Sequence, residues 1–167
     1  MKKLYMVGGT MGVGKTTVCQ ILKRDLPNSV FLDGDWCWDS SPFQVTEETK
    51  AMVMGNICCL LNSFLRCTAY ENIIFCWVMH EQRIIDAITE SLASGDCEIY
   101  KLSLVVSEEC LRERLRRDVE SGARTDGVIE RSVERIALYD GLDTIKVDTS
   151  YKTARQVADE IKAVTQK

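Results

Sequence analysis

The sequence predicts an α/β fold, a three-layer sandwich in which a five-stranded parallel sheet carries helices on both faces and a short lid. Short apolar runs alternate with stretches of helical period from end to end of the chain. The middle run, Ile73 to Met79, is apolar throughout, as suits a strand covered on both faces of a parallel sheet. The first run, Leu4-Tyr5-Met6-Val7, leads straight into a glycine-rich stretch that opens a helix.

That stretch is Gly8-Gly9-Thr10-Met11-Gly12-Val13-Gly14-Lys15-Thr16-Thr17. From Gly9 it reads Gly, four residues, then Gly-Lys-Thr, the Walker A spelling. Glycines let the backbone bend so that several N–H groups point at one phosphate, and the helix that follows adds the positive end of its dipole. Lys15 has the length to reach the β- and γ-phosphates of ATP, and the Thr16 hydroxyl can ligate Mg²⁺. Val18, Ile21 and Leu22 stand at helical spacing behind the loop. A bare strand-to-helix turn needs one or two glycines and no lysine, so Gly9 through Thr17 are read as nucleotide contacts: Gly9, Thr10, Met11, Gly12, Val13, Gly14, Lys15, Thr16 and Thr17.

The remaining elements follow in order. Val30-Phe31-Leu32 is the second strand, stopped by Asp33-Gly34-Asp35. Trp36 to Gln44 reads as a loop broken by Ser40-Ser41-Pro42. A long helix begins after an N-cap at Thr46, with Glu47 and Glu48 in its first turn and an apolar stripe of Val53, Ile57, Leu60, Leu61 and Phe64. Gly55 interrupts it and marks either a kink or a close contact. After the strand Ile73–Met79, the next helix carries Ile84, Ile85, Ile88 and Leu92 and is closed by Ser94-Gly95-Asp96. Ile99 to Val106 is the fourth strand, and Ser107 caps the helix after it. On that helix Leu111 and Leu115 set the buried stripe, with Arg114 and Arg117 on one flank and Arg112 and Arg116 on the other. A shorter helix covers Val128 to Tyr139 and ends at Asp140-Gly141. Thr144 to Val147 is the fifth strand, and the last helix follows Thr153 with Ala154, Val157, Ala158 and Ile161 on one face. Neither repeat nor linker appears, so residues 1–167 read as one domain with a lid at about 118–130.

Composition narrows the function classes. Hydrophobic residues make up 46% and charged ones 28%, an ordinary globular balance. A net charge of −4 gives no ground for binding a nucleic-acid polymer or an anionic membrane, and no apolar run is long enough to span one. The eight cysteines include no Cys-x-x-Cys, and the only histidine is His80, so no zinc pattern exists. The first strand begins almost at Met1, so no signal peptide is expected. Cys58, Cys76 and Cys110 replace apolar residues in periodic runs, and the cysteines are expected to be reduced, mostly buried thiols of a cytoplasmic protein, a monomer or homodimer.

Ligands of such sheets gather at the carboxyl ends of the strands. Those ends present Asp33 and Asp35, His80 and Glu81, and Asp148-Thr149-Ser150. A carboxylate beside a phosphate loop either holds a Mg²⁺-bound water or orients and deprotonates an attacking hydroxyl, and two Asp separated by one residue suit both jobs. The strand end Trp77-Val78-Met79 lacks the usual Walker B Asp, which moves the Mg²⁺-supporting role to Asp33. Trp36, Trp38 and Phe43 either wall a pocket for a flat or apolar substrate or form a small satellite core. His80 is a base, a substrate contact or simply a satisfied polar residue. Seven of the eleven arginines lie between Arg112 and Arg135, mixed with six acids. Arg131 and Arg135 share one helix face. The turn from Ser121 to Gly127, with Gly122 and Gly127 near its ends, reads as a short mobile lid. Arginines on a lid neutralise charge spreading over a transferring phosphoryl group, while others in such a run are solvated surface.

Taken in order, the whole chain resembles the small P-loop kinases of the shikimate kinase and gluconate kinase group, relatives of the nucleoside monophosphate kinases. The Walker A motif is common to P-loop NTPases, and Asp-Gly-Asp after the second strand also occurs in gluconate kinases and adenylylsulfate kinases. The resemblance implies that Asp33 supports Mg²⁺ and Asp35 contacts the phosphate-accepting group. Ser107-Glu108-Glu109 followed by Arg114 and Arg117 resembles the stretch before the lid, implying that Arg114 stacks on adenine and Arg117 reaches the phosphates. Val147-Asp148-Thr149-Ser150 resembles the adenine loop, which puts Asp148 and Thr149 among the nucleotide contacts. Two departures fall in the acceptor site. Val78-Met79-His80-Glu81 stands where shikimate kinases carry a glycine cluster, and Trp36-Cys37-Trp38 where gluconate kinases carry His-Pro. The fold and the use of ATP are therefore implied, and the named substrates are not. No Asn-Lys-x-Asp appears, which argues against a GTPase.

The expectation is an ATP-dependent phosphotransferase that moves the γ-phosphoryl of Mg·ATP to a hydroxyl of a small-molecule acceptor. Lys15, Asp35 and Arg117 are its catalytic candidates, Thr16 and Asp33 the metal-side pair, and Asp35, Trp36, His80, Arg131 and Arg135 the acceptor side. One alternative is a nucleoside or nucleotide kinase, with the aromatics on a base and Arg131 or Arg135 on an acceptor phosphate. Another is an ATP-binding sensor or regulatory protein that transfers nothing.

Overall fold

The computed structural model describes residues 1–125 and 127–165. Its strands are β1 (Lys3–Gly9), β2 (Ser29–Asp33), β3 (Asn72–Cys76), β4 (Glu98–Val105) and β5 (Ile145–Asp148). They form one parallel sheet in the order β2-β3-β1-β4-β5. The helices among the described residues are α1 (Lys15–Asp25), α2 (Glu47–Arg66), α3 (Gln82–Glu90), α4 (Glu108–Glu120), α5 (Val128–Glu134) and α6 (Ala154–Thr165). The chain leaves β1 to build β2 and β3 on one side, then returns across β1 to build β4 and β5 on the other. The loop after β1 therefore opens where the strand order reverses, the place where such sheets bind ligands.

Alternation along the central strand sorts the two cores. Tyr5 and Val7 face a cluster with Val18 and Leu22 of α1, Leu111 and Leu115 of α4, and Val157 and Ile161 of α6. Leu4 and Met6 face the other, with Val53, Ile57 and Leu61 of α2 and Ile85 and Ile88 of α3. Each fully buried leucine or isoleucine contributes on the order of 1.5–3 kcal/mol. None of the described helices is long and apolar enough to cross a membrane.

Several sequence expectations shift by a few residues. β3 ends at Cys76, not Met79. The Trp77 amide still donates to the Val7 carbonyl at 3.2 Å, and β1, paired with β4 along its whole length, continues through Gly8 and Gly9 without β3. Trp77 to His80 are freed to line the sheet's carboxyl end. α3 stops at Glu90, ahead of Leu92 and the Ser94-Gly95-Asp96 turn. The helix expected over Val128–Tyr139 is split into α5 and a 3-10 turn, Ile136–Tyr139, joined at Arg135.

Gly55 marks neither a kink nor a close contact: α2 runs through it unbroken, and a Cβ there would meet nothing within 4 Å. Leu60 is 39% exposed, and Leu65 takes its place in the buried stripe. All eight cysteines are free, but only Cys19, Cys76 and Cys110 are buried; Cys59 is exposed and the other four are half-buried.

Thr46 caps α2 as its sequence predicts. Its Oγ1 accepts from the Thr49 amide at 3.1 Å, and Thr49 Oγ1 accepts from the Thr46 amide at 2.9 Å. Thr46→Ala leaves the Thr49 amide without its side-chain acceptor and is expected to cost about 1 kcal/mol, read in urea as a lower midpoint with an unchanged m-value.

Candidate active site

The phosphate loop takes its shape from glycines that other residues cannot replace. Gly12 has φ +82°, and a Cβ on it would stand 2.5 Å from the Leu115 side chain, so α4 packs directly on the loop. Gly14 caps α1 in the left-handed region, which aims the first amides of the helix into the loop. Thr10 is buried, and its hydroxyl donates to the Ser132 carbonyl at 2.8 Å, tying the loop to α5. Lys15 lies across the loop, its ammonium donating to the carbonyls of Gly9 at 2.8 Å and Thr10 at 3.0 Å. Burial lowers the Lys15 pKa, while nearby negative groups, Asp35 and Asp33 among them, oppose that shift.

Asp33 is buried at the end of β2. Its Oδ2 accepts from the Thr16 hydroxyl at 2.7 Å, and its Oδ1 accepts from the Asp35 amide at 3.1 Å. The first bond joins the two sequence-expected metal-side residues, and the second fixes the turn that presents Asp35. That turn needs Gly34, because a Cβ there would come within 2.6 Å of the Trp77 ring. Asp35 itself is exposed at the mouth of the site. Partial removal from water and the charge of Asp33 raise its pKa, against the pull of Lys15, a bond from the Trp77 side chain and the charge of Arg124. A hydroxyl and a carboxylate are hard oxygen donors, and Mg²⁺ commonly takes only one or two protein ligands beside substrate phosphates, so Thr16 and Asp33 fit it.

On the far side of the loop, a cleft of about 190 Å³ opens between Gly12–Gly14 and the segment after β5. Arg114 forms one of its walls. Its guanidinium donates to the Val13 carbonyl at 3.3 Å, to Thr149 Oγ1 at 3.0 Å and to the Thr149 carbonyl at 2.6 Å. Asp148 turns away to accept from the Ser150 amide at 2.9 Å, a bond that lowers its pKa. Thr17, Val18, Lys152, Ala154 and Val157 complete the cleft; of these, only Thr17 lies within the sequence motifs.

A second, larger cleft of about 550 Å³ lies beyond Asp35, between the Trp36–Gln44 loop and the first turns of α2. Trp38 stands 4.7 Å from Phe43 and 6.4 Å from Trp77 by ring centroids, and Trp36 packs edge-on to Phe31 at 5.3 Å.

The glycine-rich loop, a carboxylate pair at the end of β2 and an Arg114–Thr149 wall stand together at the carboxyl end of the sheet. The sequence profile of a family described as AAA domain matches residues 6–137. The chain belongs to that AAA domain family. No curated protein matches it in sequence. Among solved structures, this AAA-domain chain is similar to a gluconokinase from Sinorhizobium meliloti 1021, with TM-score 0.69 and 20% identity over 96% of this chain and 90% of that one. It is also similar to the tunicamycin resistance protein of Deinococcus radiodurans, with TM-score 0.71 and 20% identity over 98% and 95% of the two chains. A third is the Mycobacterium tuberculosis APS kinase in complex with AMPPNP and APS, with TM-score 0.69 and 12% identity over 99% and 98%. At these identities the likeness is one of fold.

Some expected site residues of the AAA-domain chain stand apart from the loop. Arg117 is exposed and pairs with Glu113 one turn back along α4. Arg112 is held by Glu108 at 2.7 Å and Glu130 at 2.6 Å, as solvated surface. Arg131 is exposed and Arg135 half-buried. His80 places Nε2 3.5 Å from Glu81 Oε1, and its Nδ1 is buried without a hydrogen-bond partner among the described residues. Asp126, in the expected lid turn, lies outside the described residues. One contributor escaped the sequence reading: Trp77, which packs on Gly34, falls inside the third strand as the apolar run predicts it, whereas β3 ends one residue before it. Arg124, in the turn that reads as a lid, opposes the raised pKa of Asp35.

Arg114→Ala removes three hydrogen bonds that join the loop to Thr149. Charge-assisted bonds of this kind are worth ~1.5–3 kcal/mol. Titration with a non-hydrolysable ATP analogue is expected to show binding weakened roughly ten- to a hundredfold.

Proposed function

We propose that the protein transfers the γ-phosphoryl group of ATP to a hydroxyl of a small molecule, and that residues 1–167 act as a single kinase domain. The observation that carries this reading is the division of labour in Asp33-Gly34-Asp35. Asp33 is committed to Thr16 at 2.7 Å, while Asp35, two residues on, faces outward with a raised pKa. A protein that only held ATP would have no use for the second carboxylate at that mouth.

In this reading the base lies against Arg114 and Thr149, and the phosphates lie along the loop amides and Lys15. Thr16 and Asp33 would hold Mg²⁺, which when bound neutralises charge on the β- and γ-phosphates. Asp35 orients the acceptor hydroxyl and takes its proton. The acceptor oxygen forms a bond to the γ-phosphorus, and the bond from that phosphorus to the β–γ bridging oxygen breaks, its electron pair leaving on ADP. The segment at about 118–130 is the lid. Arg124, now held by Asp118 at 2.9 Å, and Arg117 are the arginines it would bring to the transferring group. His80, with its free buried Nδ1, and Trp36 serve the acceptor side. Eight free thiols fit a reducing compartment such as the cytoplasm. The kinase neighbours support the same reaction class.

The nucleotide-kinase variant would require Arg131 or Arg135 to grip an acceptor phosphate. The test is ADP release from Mg·ATP across sugars, sugar acids, nucleosides, nucleoside monophosphates and phenolic or aminoglycoside-like alcohols. One class is expected to stimulate release. ATP binding with no stimulation by any class would favour the sensor reading instead.

A further inference from the structure

The cleft beyond Asp35 has a composition that selects its occupant. Trp36, Trp38, Pro42 and Met52 supply its apolar walls, and the one charged residue that lines it is Asp39. The remaining lining is uncharged, from serine, threonine and amide side chains and Cys37. Two of its apolar lining residues are open to water, Trp36 at 58% exposed and Met52 at 47%, and Phe43 and Val45 of the same connection are exposed as well. Such a concentration of exposed large side chains marks a binding surface. The volume, about 550 Å³, is that of a small-molecule site.

Cys37 joins this cleft to the reacting carboxylates. Asp35 shares a single 3-10 turn, Gly34–Cys37, with Trp36 and Cys37 of the cleft lining, and Asp33 caps that turn. No cation is among the described residues that line the cleft, and the cations near it serve the phosphates or are paired. Lys15 belongs to the phosphate loop, Arg124 is held by Asp118 at 2.9 Å, and Lys50 by Glu47 at 2.8 Å. An anionic acceptor in this cleft would face Asp39 and Asp35 with no counter-charge from the walls. A flat neutral or cationic one would stack on indole faces, which a cation also favours.

We infer that the acceptor is a neutral or cationic alcohol bearing a flat apolar group, bound in the tryptophan-lined cleft so that its hydroxyl reaches Asp35. This rests on the phosphotransferase reading and narrows its substrate class. Sugar acids and nucleoside monophosphates are excluded.

Two of the chain's three tryptophans, Trp36 and Trp38, line this cleft, and Trp38 stands 6.4 Å from the third, Trp77, by ring centroids, so tryptophan fluorescence reports its occupancy separately from transfer. The experiment compares uridine with uridine monophosphate, and 3-phenyl-1,2-propanediol with gluconate, in the presence of Mg·ATP. Fluorescence quenching and product formation are both read. The neutral member of at least one pair is expected to quench and to be phosphorylated, with an apparent affinity at least about tenfold above its anionic counterpart. Trp38→Ala is expected to weaken that binding about tenfold or more. Met52→Lys, at an exposed position that does not threaten folding, is expected to narrow the gap in favour of the anions.

Asp35-dependent phosphorylation of gluconate or uridine monophosphate in preference to the neutral compounds would overturn this inference and leave the phosphotransferase reading standing. Trp38-dependent quenching by neutral alcohols, with phosphate transferred to nothing, would keep the cleft assignment and sink the transfer. Absence of both quenching and transfer for the neutral compounds would overturn the inference.

Discussion

Lys15→Ala is expected to lose phosphoryl transfer by roughly a hundred- to a thousandfold and to weaken ATP binding with it. The effect is large because Lys15 is the one ammonium laid along the loop, between the Gly9 and Thr10 carbonyls and the two aspartates. Its burial already disfavours the charged form, so the ammonium gains most from a partner carrying negative charge. Retained circular dichroism with both losses would place the defect in the site. Wild-type ATP affinity in the variant would remove Lys15 from the phosphates.

Asp35→Asn is expected to part these two properties. Transfer falls by roughly a hundred- to ten-thousandfold, as for loss of a general base, while ATP affinity stays near wild type because Asp33 and Thr16 are untouched. The pH profile supports the assignment from another side. Asp35 accepts a proton only when ionised, and its pKa is raised above the ordinary 3.8. Transfer is therefore expected to decline as pH falls through a value higher than that of a free aspartate, and to recover above it. The same shift means that the folded state disfavours the charged Asp35 at neutral pH, so the neutral variant is expected to melt no lower than wild type. An Asp35→Asn protein that turns over normally would contradict the role given to Asp35.

Much of the fold was legible because its signals are local. Short apolar runs marked the five strands and helical period the six α-helices, and the glycine spacing with Lys15 marked the phosphate loop; the 3-10 turn Gly34–Cys37 reads in the sequence only as the start of a loop. The Thr46 cap was readable for the same reason. What escaped depended on neighbours distant in sequence. β3 stops at Cys76 because its pairing with β1 ends at Val7 and with β2 at Asp33, which the apolar run Trp77-Val78-Met79 does not record. Gly55 carries no packing role because nothing approaches that turn of α2. Arg114 and Arg117 look alike on a helical wheel, yet the structure places Arg114 against Thr149 and leaves Arg117 on Glu113. The aromatic loop left two readings open, a pocket or a satellite core, and the structure holds something of each. Trp38 packs on Trp77 and Phe43, while Trp36 stands open at the rim.

The central claim is that phosphate leaves ATP for a carbon-bound hydroxyl. Phosphorus NMR of the protein with Mg·ATP and the compound that most stimulates ADP release tests it most directly. A new phosphomonoester resonance is expected to grow in step with ADP in wild type and to be absent with Asp35→Asn. ADP accompanied only by inorganic phosphate, or the same ester formed equally by Asp35→Asn, would contradict it.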